Sequence, residues 1–173
     1  GTEFGLEILY SEETHEALET AGGIVNALDL IKSEYFAAIS ADILCDYPLD
    51  LIKRAPLNHA DGFLVMVNNP DHHPEGDFLL DKSGLLLLKK RNTGNPASTF
   101  SGIACFRRAL FTPLPPGKRA LRPVLESVIG QRRLRGETHH GLWSDIGNHE
   151  RLEAARQSPE VEAYISAINL SSS

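Results

Sequence analysis

Two apolar runs constrain this chain most. "YFAAISADIL", residues 35–44, and "FLVMVNNP", residues 63–70, are rich in hydrophobic side chains and lack the in-and-out alternation of a strand wetted on one face. Runs of this length suit strands buried on both faces, and such burial needs helices packed above and below a sheet. The neighbouring stretches supply the helical period. Ile24, Val25, Leu28 and Ile31 fall at i, i+1, i+4 and i+7 and predict a helix over residues 21–31, while "LDLIKRAP" predicts a helical turn between the two runs. Ahead of them Leu6, Ile8 and Tyr10 alternate as in a strand, which predicts a β-α-β unit and an α/β chain with a parallel sheet.

After Pro70 the pattern changes. "GDFLLDKSGLLLLKK" reads as a hairpin turning at Asp81 to Gly84, with Leu85 to Leu88 as buried strand and Lys89-Lys90-Arg91 as a solvated strand end. "KRNTGNPAS" is a turn-rich loop and "TFSGIACF" a strand. A helix is predicted over "ALRPVLESVIGQ", a strand within "LRGETHHGLWSDIG", and a helix over "NHERLEAARQ". In "QSPEVEAYISAI" Ser158 suits an N-cap and Pro159 a first helical turn, so a further short helix starts there. The Ser-Ser-Ser end is expected to fray. No repeat or linker interrupts residues 1–173, which read as a single domain.

Composition excludes several classes. A net charge of -6 without a basic run argues against nucleic-acid binding, which rests on a positive surface. The two cysteines lie beside apolar residues, and neither a signal peptide nor an apolar run of about 18 residues occurs. The expectation is a soluble, reduced, cytoplasmic protein with no membrane partner.

Two aspartates carry the chemistry. Asp42 follows an apolar strand, at the carboxyl end where open α/β sheets bind ligands. Asp145 follows a Trp-containing strand and precedes a Gly turn and a helix. Either one alone reads equally as a turn-former or helix cap; together, on converging strand ends, they suit one divalent cation serving phosphates. The helix over 21–31 is entered through Thr20, Ala21, Gly22 and Gly23, although each glycine costs roughly 1 kcal/mol of helix propensity. A ligand approaching the helix start explains them, and so does a tight strand-to-helix turn, with Thr20 as a plain N-cap. The pairs His72-His73 and His139-His140 suggest a metal, but adjacent strand side chains point to opposite faces, so each pair reads as surface or loop histidines. No nucleophile-elbow sequence supports a Ser-His-Asp assembly, and Trp143 reads as a packing residue.

In order, "ALETAGGI", "SADILCDYP", "NNPDHHPEGDF", "TFSGIACF" and "GLWSDIGNHERL" resemble the sugar-1-phosphate nucleotidyltransferases, over nearly the whole chain from Phe4 to about Ala155. They look most like the N-acetylmuramic acid 1-phosphate uridylyltransferase branch, with mannose-1-phosphate guanylyltransferases next. The resemblance implies a Rossmann-like, GT-A-like three-layer α/β fold with a mixed, mainly parallel sheet. It implies nucleotide contacts at Glu16, Thr20, Ala21, Gly22 and Gly23, Mg2+ ligands at Asp42 and Asp145, and sugar-side residues Asn69, Gly76, Asp77, Thr99 and Gly102. The substrates implied are a nucleoside triphosphate, UTP, and a sugar 1-phosphate, N-acetylmuramic acid 1-phosphate, with UMP transferred and pyrophosphate released.

Two departures follow from the same comparison. Ala41 stands where the family has glycine before the magnesium aspartate, and its methyl crowds the nucleotide. The family's Gly-rich loop with arginine and its Pro-Lys-Pro element, which hold the triphosphate, do not occur, so the N-terminal β-α units are expected to be missing and the fragment to be inactive alone. An unpaired sheet edge is then expected, open to self-association. Two other readings stand beside the enzyme: a catalytically silent nucleotide-sugar-binding or scaffold protein, and a histidine-metal hydrolase resting only on the histidine pairs.

Overall fold

The structure, a computed structural model, describes residues 5–14, 16–55, 57, 59–89 and 97–171. In chain order its elements are α1 (Glu19–Asn26), β1 (Tyr35–Ile39), β2 (Ile43–Cys45), a 3-10 helix (Leu49–Arg54), β3 (Gly62–Val67), β4 (Leu79–Leu80), β5 (Leu86–Leu87), β6 (Thr99–Arg107), α2 (Leu121–Gly130), β7 (Leu134–Thr138), β8 (Trp143–Asp145), α3 (His149–Arg156) and α4 (Pro159–Ser171), with a single 3-10 turn at Arg108–Leu110.

β3 is buried along its whole length. Its side chains alternate between two apolar clusters: Leu64 and Met66 join Phe106, Phe111 and Leu134 on one face, and Phe63 and Val65 join Ile103, Cys105 and Tyr47 on the other. Two-sided burial removes the polar alternation from the sequence. Truncating the enclosed Leu64 to alanine would leave a cavity costing about 2–5 kcal/mol. Helix α2 covers the first face with Leu125, Val128 and Ile129, one side of a 3.6-residue period, and Ala21 of α1 packs beside them. Pro123 falls in the first turn of α2, where its missing N–H has no intrahelical acceptor. Ile52 of the 3-10 helix and Tyr47 cover the second face.

The main sheet has the order β1-β6-β3-β7. β6 is antiparallel to both β1 and β3, while β3 and β7 are parallel, so β1, β3 and β7 share one direction and β6 alone is reversed. The sheet is mixed, as the resemblance implies, and β1, from the first apolar run, and β3, from the second, lie in it separated by β6 rather than side by side. β2 and β8 form a small antiparallel sheet in which Ile43 pairs with Asp145 and Cys45 with Trp143. β4 and β5 make the expected hairpin. Its turn is organised by Asp81, whose Oδ1 accepts the Ser83 hydroxyl and the N–H groups of Ser83 and Leu85, with Gly84 at φ +77°.

Several expectations are corrected. Residues 5–14 form no strand: Leu6 and Tyr10 are 66% and 79% exposed, and the segment is tied to the α1 region where Asn26 Nδ2 donates to Ser11 Oγ and Glu12 O and where Glu13 Oε2 accepts the Leu18 N–H. Without a strand beside it, alternation alone cannot order the segment, and the β-α-β unit over residues 6–44 does not form. The first helix is Glu19–Asn26 rather than 21–31. Both long runs divide, residues 35–44 into β1 and β2 and residues 134–147 into β7 and β8, because their halves pair in different sheets. Lys89 is exposed, as expected, and its ammonium also donates to the carbonyls of Glu75 and Gly76. Lys90, Arg91, most of the loop after them and the last two serines lie outside the described residues. No helix among the described residues is long and apolar enough to cross a membrane.

Candidate active site

Asp42 sits just before β2 and Asp145 ends β8, and the antiparallel register that pairs Ile43 with Asp145 sets the two aspartates near each other. The Ile146 N–H donates to Asp42 O, closing this corner. Gly147 measures the convergence: a Cβ added there would lie 2.9 Å from Asp42 Oδ2 and 3.1 Å from Asp145 Oδ1. Both carboxylates therefore face one small space that only a glycine leaves open. Asp145 is fixed on two sides, Oδ1 accepting the Gly147 N–H at 2.9 Å and Oδ2 accepting Arg151 Nη1 at 2.8 Å. The Asp42 carboxylate has no hydrogen bond among the described residues, which leaves its lone pairs available.

This corner opens on a cleft of about 720 Å3 lined by Thr20, Asp42, Asp77, Thr99, Gly102 and Asp145 among others. Six of the expected site residues thus share one cavity. Asp77 is held there by three elements: Oδ2 accepts the Phe100 N–H at 2.9 Å, Oδ1 accepts Arg122 Nη1 at 3.0 Å, and His73 Nε2 lies 3.4 Å away. Gly102 has φ +87°, and a Cβ there would meet Ser40 Oγ at 2.7 Å, so glycine lets β6 pass the turn leading to Asp42.

Asn69 and Gly76 stand behind the wall rather than in it. Asn69 Nδ2 donates to Pro74 O and Ala97 O, and its Oδ1 accepts the Thr99 hydroxyl at 2.9 Å. Gly76, at φ +59°, lies against the same carboxamide, where a Cβ would come within 2.6 Å of Asn69 Oδ1. Asn69 spans the loops that present Thr99 and Asp77.

The helix start differs from the expectation. Ala21 and Gly22 donate their N–H groups to Arg119 O, both at 3.1 Å, and a Cβ on Gly22 would meet Gly117 O at 2.5 Å. Close packing of the 117–119 loop, not an open ligand path, accounts for Gly22. Thr20 is inside α1 instead of capping it; the Leu18 N–H donates to Glu13 Oε2 at 2.7 Å. Glu16 is exposed and outside the cleft. Gly23 lines an adjoining cleft of about 590 Å3 between α1 and β1, which shares Thr20, Ser40, Asp42 and Gly102 with the first.

The chain is 36% identical over 161 residues to N-acetylmuramate alpha-1-phosphate uridylyltransferase of Neisseria meningitidis, spanning 90% of this chain and 68% of that protein. The chain belongs to the sugar-1-phosphate nucleotidyltransferase family. A second family member, the mannose-1-phosphate guanylyltransferase catalytic subunit beta of Drosophila melanogaster, is 26% identical over 83% of this chain and 40% of its own length. No family model matches the chain.

Solved structures agree on the fold of this nucleotidyltransferase chain. HddC from Yersinia pseudotuberculosis superposes with a TM-score of 0.64 at 19% identity, covering 81% of this chain and 62% of that one. The same protein complexed with GMP-PN gives 0.64 over 87% and 64%. The inositol-1-phosphate CTP transferase from T. maritima gives 0.60 at 16% identity, over 78% and 58%. These likenesses establish the Rossmann-like nucleotidyltransferase fold.

Sequence reasoning missed four residues of this cleft and its rim. Gly147 and Arg151 frame Asp145, Arg122 holds Asp77, and His72 Nε2 lies 3.5 Å from Asp145 Oδ2. The histidine pair was a visible signal, but the opposite-face rule applies to strands and His72-His73 lie in the loop between β3 and β4. The arginines carry no local signal, because their partners are fixed by packing.

Proposed function

We propose that the protein to which this chain belongs transfers a nucleotidyl group, UMP from UTP, to a sugar 1-phosphate, N-acetylmuramic acid 1-phosphate, in cytoplasmic recycling of peptidoglycan. The observation that carries the reading is the convergence of Asp42 and Asp145 on the space kept by Gly147. Two carboxylates and an open volume beside them fit one Mg2+ that keeps positions for water and phosphate oxygens. Bound there, Mg2+ neutralises charge on the phosphates and orients them. In the reaction the sugar phosphate oxygen forms a bond to the α-phosphorus, the bond to the bridging β-phosphate oxygen breaks, and pyrophosphate carries the electron pair away.

The remaining work falls to positioning. Asp42 and Asp145 hold the cation. Thr20 and Gly23 border the nucleotide side, where the two clefts meet. Asp77, Thr99 and Gly102 form the sugar side, with Asn69 and Gly76 fixing their loops. Arg122, on the cleft wall and paired with Asp77 and Glu126, would have to turn from one of these carboxylates to meet the sugar phosphate.

The relatives extend beyond the matched region, so the test belongs on the full-length protein of the same reading frame. With Mg2+, UTP and N-acetylmuramic acid 1-phosphate, pyrophosphate release is expected, and Asp42→Asn is expected to abolish it. Absence of release with any amino-sugar 1-phosphate would sink the reading. The match to guanylyltransferases favours one competing substrate pair, GTP with mannose 1-phosphate, and a higher kcat/KM for that pair would reassign the base and the sugar together.

A further inference from the structure

Cys45, Asp46 and His139 are, among the described residues, the only group of three or more cysteine, histidine or acidic side chains whose ligand atoms all lie within 4.8 Å of one another. Cys45 ends β2, Asp46 follows it, and His139 follows β7. Because the strand ends at Cys45, the next side chain is not sent to the opposite face. His139 Nε2 stands 2.6 Å from Asp46 Oδ1, and the Tyr47 N–H reaches Cys45 Sγ at 3.4 Å. Gly141 keeps the place open: a Cβ there would lie 2.7 Å from His139 Cε1 and would press on the Asp46 carboxylate. The imidazole is set by an edge-on contact with the Tyr47 ring, 5.4 Å between centroids, and Tyr47 is anchored by its hydroxyl donating to Glu137 Oε1 at 2.6 Å.

We propose that these three side chains form a second metal site, separate from the Asp42 and Asp145 pair, for a borderline cation of the Zn2+ class. One thiolate, one imidazole and one carboxylate make a mixed S, N and O donor set that Mg2+ does not favour and Zn2+ does. Three protein ligands and one water complete a tetrahedron. Zinc bonds of about 2.0–2.3 Å give ligand-to-ligand edges of roughly 3.4–3.8 Å, so loading opens the His139 and Asp46 contact slightly and draws the sulfur inward. On loading, the Cys45 thiol releases its proton to solvent, and the imidazole carries its proton on Nδ1 while Nε2 binds.

The consequence is mechanical. Cys45 ends β2 of the small sheet and Asp46 follows it directly, in the same segment as Asp42, whereas His139 follows β7 of the main sheet. A cation held by all three staples the two sheets together, and binding to the folded state alone raises stability.

The test uses the purified chain after chelation, titrated with Co2+ as a spectroscopic probe and then with Zn2+ in competition. Stoichiometric binding with a thiolate-to-cobalt charge-transfer band is expected, displaced by Zn2+ and unaffected by excess Mg2+. Cys45→Ser should abolish the band and, with His139→Gln, weaken Zn2+ binding at least about tenfold. Cys105→Ser and Asp42→Asn should keep both. No cobalt binding by folded protein, a band that survives Cys45→Ser, or a band lost with Cys105→Ser alone would overturn the site. Should Cys45→Ser not fold, Asp46→Asn and His139→Gln, checked for fold by circular dichroism, decide it: undiminished Zn2+ binding in both overturns the proposal.

Discussion

Arg151 Nη1 stands 2.8 Å from Asp145 Oδ2, one helical turn and a glycine corner further along the chain. The pair is only partly exposed, with side-chain accessibilities of 33% and 26%, so water screens it less than a surface pair. The guanidinium fixes the rotamer of a carboxylate that is otherwise held by one backbone N–H. Arg151→Ala should lower kcat/KM of the full-length enzyme about tenfold or more, because a ligand that wanders by an ångström is poorly placed. Arg151→Lys, which keeps charge and loses the planar fork, should recover part of the loss. Steady-state pyrophosphate release measures both, and equal activity in all three proteins would refute the role.

Gly147→Ala is the sharpest steric probe. Its Cβ would stand 2.9 Å and 3.1 Å from the two carboxylate oxygens, inside ordinary contact distance. Activity is expected to fall on the order of a hundredfold. The glycine is exposed, so the melting temperature should scarcely move. A stable protein with unchanged Mg2+ dependence and rate would show that the two aspartates do not act on a common cation.

Asn69→Ala tests the loop strut. The substitution removes partners from Pro74 O, Ala97 O and the buried Thr99 hydroxyl. Stranded polar groups of this kind cost about 1–3 kcal/mol each, so a loss of a few kcal/mol is expected in urea denaturation. The KM for sugar 1-phosphate should rise more than kcat falls, since the strut supports a wall of the cleft. A selective fall in kcat would instead place Asn69 at the reacting atoms.

Asp81 predicts an acid limb. The Ser83 hydroxyl, and after it the Leu85 N–H, holds this carboxyl below its usual range. A folded-state value below the unfolded one means that the stabilisation is complete above the ordinary aspartate value, near 3.9, and is lost as pH falls through the lower folded value. Asp81→Asn should therefore flatten the stability profile in that acid window and leave its neutral region with the same slope. Denaturation midpoints across the acid range check this, and identical profiles would show that the turn contributes nothing through ionisation.

Local sequence determined the elements whose signals are self-contained. The β3 run, the α2 face at Leu125, Val128 and Ile129, the hairpin at Asp81 to Gly84 and the opening of α4 at Pro159 each follow from neighbours in the chain. Asp42 and Asp145 were legible as a pair because both stand at strand ends, and the ordered motifs gave the family. The alternating Leu6, Ile8 and Tyr10 misled because a strand is completed by its partner, and none lies beside that segment among the described residues.

Only the tertiary structure decided what the glycines and loop side chains do. Gly22 accommodates the carbonyl of Gly117, while Gly147, legible in the sequence only as a turn residue, keeps the space between the carboxylates. Asn69 supports the cleft wall instead of lining it, and packing set His73 against Asp77, His72 against Asp145 and His139 against Asp46. The physical reason is the same in each case. Backbone periodicity is encoded over a few residues, whereas steric clearance and charge pairing depend on atoms far apart in the chain that packing brings together.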